Sequence, residues 1–216
     1  MELSKIDQAL YQHTGGIVLG FHGCDETVGK KILNSQTEHL KASTNDYDWL
    51  GEGIYFWLND PVRAYEWAIE TEKRGKIKRP YVIGAVIELG NCLNLSERSA
   101  IRALRRSYTE LRLSFEFRGE KINEKVVNSA DDAGGFKLFR RLDCLVINNL
   151  IESAKADGQV FDTVYGYFQE GKDAYPGAGI REKSHIQICV RNTDCIKGYF
   201  LPRAISADMD SVVGAL

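Results

Sequence analysis

The sequence predicts an α+β domain, and three observations predict it. Helical patterns dominate the early part of the chain and apolar strand-type runs the late part, which opposes a repeating β-α-β order. No glycine-rich loop matches a Rossmann fingerprint or a P-loop. The composition, 44% hydrophobic and 27% charged over 216 residues, is ordinary for a globular protein. A chain of that length buries roughly 70% of its unfolded surface and has no need of staples. It fits one domain, residues 15–216, behind a short N-terminal arm, residues 1–14.

In the arm, Leu3, Ile6, Leu10 and Tyr11 lie at helical spacing, and Gly15-Gly16 ends it. Residues 17–23 form a short apolar run of strand type. The stretch 25–33 suits a helix, with Asp25 as N-cap and Val28, Ile32 and Leu33 on one face. Residues 48–57 make a glycine-punctuated turn into a strand. Asp60-Pro61 then opens a helix, a cap followed by proline at the first helical position. A basic connector, residues 73–80, leads into the strongest strand pattern, residues 81–89. A helix is predicted over 96–112, with Ser96 as its cap. Two further apolar runs, 143–147 and 163–168, precede 185–190 and 196–200, and the last two are separated by a turn at 191–194.

Charge is close to balance, 28 Lys+Arg against 30 Asp+Glu, a net of −2. The whole molecule therefore has no general pull on nucleic acid, which leaves only a local basic patch for such a partner. No run reaches about eighteen apolar residues, and the N-terminus lacks the basic-then-apolar order of a signal peptide. A cytoplasmic location with no membrane partner is expected. Cys24, Cys92, Cys144, Cys189 and Cys195 include no C-x-x-C pair, and the histidines are scattered. Five reduced thiols and no metal are expected.

Two pieces of the chain carry chemistry. His22 stands near the end of an apolar strand and is followed at once by Gly23. About thirty residues on comes Gly51-Glu52-Gly53-Ile54-Tyr55-Phe56-Trp57. A histidine at a strand end offers ring hydrogen bonds, the glycine an unobstructed backbone edge, and a tyrosine on the next strand a flat face. Together they suit a ligand with an aromatic ring and sugar hydroxyls. Taken singly, His22 reads first as a satisfied structural residue and Tyr55 as core.

Phe21-His22-Gly23, followed by Gly51-x-Gly53-Ile54-Tyr55-Phe56 and then Ala64, resembles the ADP-ribosyltransferase superfamily in its diphtheria-toxin and poly(ADP-ribose) polymerase branch. That branch is marked by a His-Tyr-Glu triad on three strands. His22 and Tyr55 match the first two places. The third lies on a strand near the C-terminus that turns back into the last strand, and here it falls on Gln187. The resemblance spans roughly residues 15–203 and leaves 90–160 without assignment.

The resemblance implies two facing antiparallel sheets flanked by helices, with NAD as the substrate in the cleft between them and no metal. His22 would hydrogen-bond ribose hydroxyls, the Gly23 backbone would pair with the nicotinamide amide, and Tyr55 would stack on the nicotinamide ring. A second aromatic on the following helix falls to Tyr65 or Trp67, because Glu66 occupies the matching place. Gln187 is the main departure. The family's glutamate accepts from the ribose 2′-hydroxyl and steadies the positive charge that forms as nicotinamide leaves. A charge-assisted bond is worth roughly 1.5–3 kcal/mol against about 1 for a neutral one. That implies a rate lower by roughly ten- to a hundredfold.

The implied activity is transfer of one ADP-ribose unit to a macromolecular acceptor, RNA, DNA or protein. Another residue such as Glu182, or the acceptor itself, would supply any base. Arg98, Arg102, Arg105 and Arg106 recur along the predicted helix as a phosphate-contacting ridge or as a solvated face. The stand-alone size resembles a bacterial toxin or phage-defence effector, which would need an antitoxin partner. Other readings are a catalytically silent NAD or ADP-ribose binding module, an NAD glycohydrolase, and an RNA 2′-phosphotransferase. Tyr55 speaks against the last.

Overall fold

A computed structural model describes residues 16–129 and 137–203, so the N-terminal arm and the last residues of the expected domain lie outside the described residues. Strand β1 (Ile17–Asp25), helix α1 (Glu26–Leu33), β2 (Ile54–Leu58), α2 (Pro61–Lys73) and β3 (Pro80–Glu88) fill the first part. Then come β4 (Cys92–Asn94), α3 (Arg98–Phe117), α4 (Ile122–Lys125), β5 (Asn128–Ser129) and β6 (Phe139–Arg140). The chain continues through α5 (Arg141–Ala156), β7 (Thr163–Phe168), β8 (His185–Val190) and β9 (Ile196–Phe200). Helices and strands thus alternate through the first ninety residues or so, rather than helices leading and strands following.

The α+β class holds, but the strands form one sheet. Among the described residues, seven strands make a single mixed sheet in the order β4-β7-β8-β2-β1-β3-β9, with β5 and β6 as a separate ribbon. All neighbours in it run antiparallel except β4 and β7, which are parallel. The joints differ in strength. β1 and β3 pair along their whole lengths, from Ile17↔Glu88 to Asp25↔Pro80. β1 and β2 pair only at Gly20↔Leu58 and Phe21↔Trp57. The sheet is therefore two halves held by a short seam, where two separate sheets were expected.

Local sequence accounts for the helix starts. Asp25 Oδ1 accepts from the Thr27 amide at 3.0 Å and its hydroxyl at 2.7 Å, while Oδ2 accepts from the Lys78 and Arg79 amides at 2.7 and 3.2 Å. One carboxylate thereby caps α1 and pins the end of the basic connector, and those bonds hold its pKa far below the usual carboxylate range. The connector's Arg79 also pairs with Glu26 at 2.9 Å. Asp60 caps α2 through the Arg63 amide, with Pro61 first in the helix. Ser96 does not cap α3. Its hydroxyl donates to Asn94 Oδ1 at 2.6 Å, and Glu97 takes the N-cap position with its carboxylate accepting from Asn94 Nδ2 at 3.1 Å and not from the helix amides. The run 143–147 lies inside α5, where Cys144, Ile147 and Ile151 are buried at helical spacing. Five apolar residues alone do not separate a strand from one face of a helix.

The sheet is covered on both sides. Ile54, Phe56, Ile83, Ala85, Ile87, Ile188 and Val190 pack with Ile32 of α1 and with Leu40. A second group joins Leu50, Leu93, Val164, Phe168 and Cys189 to Ile147 and Ile151 of α5 and Ala100 of α3. Around the seam, Phe21 and Trp57 pack on Ala64 of α2. Gly23 permits this last contact, since a Cβ there would stand 2.2 Å from the Ala64 carbonyl oxygen. All five cysteines are free thiols, and burial pushes Cys189 up to about 12. Among the described residues no helix is long and apolar enough to cross a membrane.

Candidate functional site

His22 sits where the β1–β2 ladder stops. Its Nδ1 lies 2.7 Å from the Tyr55 carbonyl oxygen, next to the last paired residues of the seam. A carbonyl only accepts, so Nδ1 carries the proton and Nε2 presents a lone pair. The ring is half-buried against Phe56 at 5.8 Å and Trp67 at 6.4 Å between centroids. Burial lowers its pKa, more than the bond to Tyr55 raises it, so the imidazole is neutral at pH 7. Among the described residues Nε2 has no hydrogen-bond partner. Past Phe21, the β1 edge toward β2 pairs with no strand residue among the described residues, and Gly23 lies on that edge.

Tyr55 is anchored by its hydroxyl. It donates to the Gly51 carbonyl at 2.6 Å and accepts from the Leu50 amide at 2.8 Å. Burial pushes the phenol well above its ordinary pKa. The two glycines before it are set by the turn. Gly51 has φ +77°, and a Cβ on Gly53 would meet Cys189 Sγ at 2.4 Å. The hydroxyl therefore fixes the turn, and the ring is packed beside Leu50 and Cys189.

Gln187 lies in β8 opposite Trp57 of β2 and Gly166 of β7. Its side chain is buried, and its Nε2 lies 3.0 Å from Nε2 of His185, two residues back on the same face. His185 Nδ1 is 2.7 Å from the Lys183 carbonyl and must donate to it, so His185 Nε2 accepts. Gln187 then presents its amide N–H to the histidine, which leaves Oε1 to accept from elsewhere. Burial lowers the His185 pKa and keeps the ring neutral, which maintains this arrangement.

A closed polar cluster adjoins Gln187. Arg63 of α2 is buried, and its Nη2 lies 2.8 Å from both carboxylate oxygens of Glu170. Glu170 Oε2 is also 3.7 Å from His185 Nδ1. Trp49 stacks on His185 at 6.0 Å, with the rings inclined by 23°. The Arg63 guanidinium stands 5.8 Å from the Trp57 ring centroid. Among the described residues Arg63 Nε and Nη1 and Trp57 Nε1 are buried donors without a hydrogen-bond partner, though Nη1 lies 3.6 Å from a Glu66 carboxylate oxygen.

The structure brings three of the expected site residues into one neighbourhood. β8, β2 and β1 are adjacent, and one row crosses them at Gln187↔Trp57↔Phe21. His22 is one residue from that row, Tyr55 two, and Gln187 lies on it. Tyr65 is not brought to His22. It is two residues from Trp67, on the other side of α2, and Trp67 is the aromatic at His22. Glu182 is exposed and accepts from the Lys172 amide at 3.2 Å, so the acid beside His185 is Glu170. Sequence reasoning missed Arg63, Glu170 and His185. The spacing His185-x-Gln187, which puts both side chains on one face of a strand, is the signal available for His185. Among the described residues no group of three or more His, Cys, Asp or Glu is placed to hold a metal ion.

No family model, no curated protein and no solved structure matches the chain.

Proposed function

We propose that the protein is an NAD-dependent mono-ADP-ribosyltransferase whose nucleotide site is the seam between β1 and β2. One observation carries the reading. His22, Tyr55 and Gln187, far apart in the chain, stand on three adjacent strands within two residues of a single row, at the place where the ladder opens. The polar atoms left over there also fit the substrate. His22 Nε2 and Gln187 Oε1 are acceptors for sugar hydroxyls, and the β1 edge at Gly23 is open to a carboxamide.

In this reading His22 Nε2 accepts from a ribose hydroxyl, and the Gly23 edge pairs with the nicotinamide amide. The Tyr55 ring packs against the nicotinamide, held in place by its hydroxyl bonds to Leu50 and Gly51. Gln187 Oε1 accepts from the 2′-hydroxyl of the nicotinamide ribose. Its carbonyl dipole, aimed by His185, steadies the positive charge that grows at C1′ as the bond to nicotinamide breaks. Nicotinamide leaves with the bonding pair. The acceptor's nucleophile bonds to C1′ and releases its proton to solvent.

The test is incubation of the purified protein with NAD and cell extract, followed by quantification of nicotinamide and of ADP-ribose attached to macromolecules. Stoichiometric nicotinamide and attached ADP-ribose, both lost in His22→Ala, is the expected result. Nicotinamide with only free ADP-ribose makes the protein a glycohydrolase. Intact NAD that is nevertheless bound makes it a silent binding module, the alternative favoured by the uncharged amide at Gln187.

A further inference from the structure

A cavity of about 590 Å³ opens beside α3 and α5 and shares Trp49 and Phe168 with the surroundings of His185. Its size is that of a small-molecule site. Ile101, Leu104, Val146 and Ile147 give it apolar walls. The guanidinium of Arg140 lies across its aromatic end, 4.6 Å from the Trp49 centroid and 4.8 Å from that of Phe168. Asp143 lines it too, but that carboxylate is already taken, accepting from Asn128 Nδ2 at 2.7 Å and lying 3.6 Å from Arg140.

The helix that forms one wall is rich in arginine in a chain whose net charge is −2. α3 carries Arg98, Arg102, Arg105, Arg106 and Arg112 against Glu110 and Glu116. Arg105 lines the cavity itself. Arg98 and Arg102 precede it by seven and three residues, so all three share one face of the helix. Aliphatic walls, the planes of Trp49, Phe168 and the Arg140 guanidinium at one end, and a row of cations at helical spacing together suit one chemistry. It is an unstacked base attached to a phosphate backbone. The cavity also adjoins the reaction line, for Trp49 stacks on His185, whose Nε2 is 3.0 Å from the Gln187 amide.

We infer that this cavity receives a base of a single-stranded nucleic acid whose phosphates follow Arg98, Arg102 and Arg105, and that this strand is the ADP-ribose acceptor. The acceptor half of the inference rests on the transferase reading. A nitrogen or hydroxyl oxygen of the strand bonds to C1′, nicotinamide departs with the electron pair of the broken bond, and the displaced proton goes to solvent.

The experiment has two arms. In the first, fluorescein-labelled, mixed-sequence RNA and DNA oligonucleotides are titrated with the full chain without NAD, over a range of salt, with the matching duplex for comparison. Single strands bind more tightly than the duplex. Arg98→Ala/Arg105→Ala flattens the slope of log affinity against log salt by about 1.4, at roughly 0.7 per lost phosphate contact. Ile101→Trp, at a position 38% exposed on the cavity wall, fills the cavity. It weakens binding about tenfold and leaves the slope alone, the size expected for one lost stacking contact. Equal binding of duplex, or affinity unmoved by either folded variant, overturns the inference. In the second arm, NAD labelled in its adenylate half is added with oligonucleotide and extract protein together. Label in the oligonucleotide supports the acceptor assignment, and label in protein alone overturns it. Nicotinamide release without oligonucleotide binding defeats this inference and leaves the transferase reading intact. Salt-dependent binding of single strands without nicotinamide release defeats the transferase reading and leaves the strand site intact.

Discussion

At the seam, His22 Nε2 and the β1 edge beyond Phe21 have no partner among the described residues. Across β2, beside Gln187, the side chains of Arg63, Glu170 and His185 are packed against one another or against nearby backbone, with Arg63 Nε and Nη1 left without a hydrogen bond among the described residues. The first region is polar and open, the second polar and closed. The difference assigns them different work. Unpaired acceptors at a gap in a ladder are suited to a ligand, whereas a buried ion pair and a histidine of fixed tautomer are suited to holding one side chain, Gln187, in one orientation. The two regions meet at the row Phe21↔Trp57↔Gln187.

The comparison breaks most visibly through the closed region. Arg63→Ala leaves the half-buried Glu170 carboxylate without its cation, and it should destabilise the fold by about 3 kcal/mol, the low end for a broken buried pair. Urea unfolding measures this, and a loss under about 1 kcal/mol would mean that the cluster is wetter than described. Gln187→Glu should raise the rate of nicotinamide release by about ten- to a hundredfold, because a carboxylate steadies the growing charge better than an amide. An unchanged rate in a folded variant would remove Gln187 from the reacting atoms.

A smaller effect separates the ring of Tyr55 from its hydroxyl. Tyr55→Phe should cost about 1–3 kcal/mol of stability, since the Leu50 amide and Gly51 carbonyl lose their partner, and it should keep most of the turnover. Loss of turnover at unchanged stability would assign the phenol to chemistry. The gentlest probe is pH. His22 and His185 both have pKa values lowered by burial, so below about 6.5 the unfolded chain binds protons that the folded chain refuses. Stability should therefore fall as pH drops through that value and level off only once the folded histidines protonate. A stability curve flat from pH 7 to 5 would show that neither ring is held neutral.

The open region was legible in the sequence because its residues sit in contiguous stretches. Phe21-His22-Gly23 and Gly51 to Phe56 name the strand end, the turn and the ring together. The closed region was not, because its members come from α2, the segment after β7, and β8, and only their packing makes them neighbours. The choice between one sheet and two rests on the pairs Gly20↔Leu58 and Phe21↔Trp57, which leave no pattern of their own. Tyr65 and Trp67 are likewise separated only by which side of α2 meets β1. The cavity at Arg105 needed α5, and residues 143–147 were too short a run to announce that helix.

The central claim is that the seam at His22 binds NAD. Calorimetric titration of NAD into the wild-type chain and into His22→Ala tests it most directly, with thermal unfolding as a check that both are folded. The account predicts saturable binding to the wild type and at least tenfold weaker binding to the variant. Equal affinity for the two folded proteins, or no binding to the wild type, would contradict it.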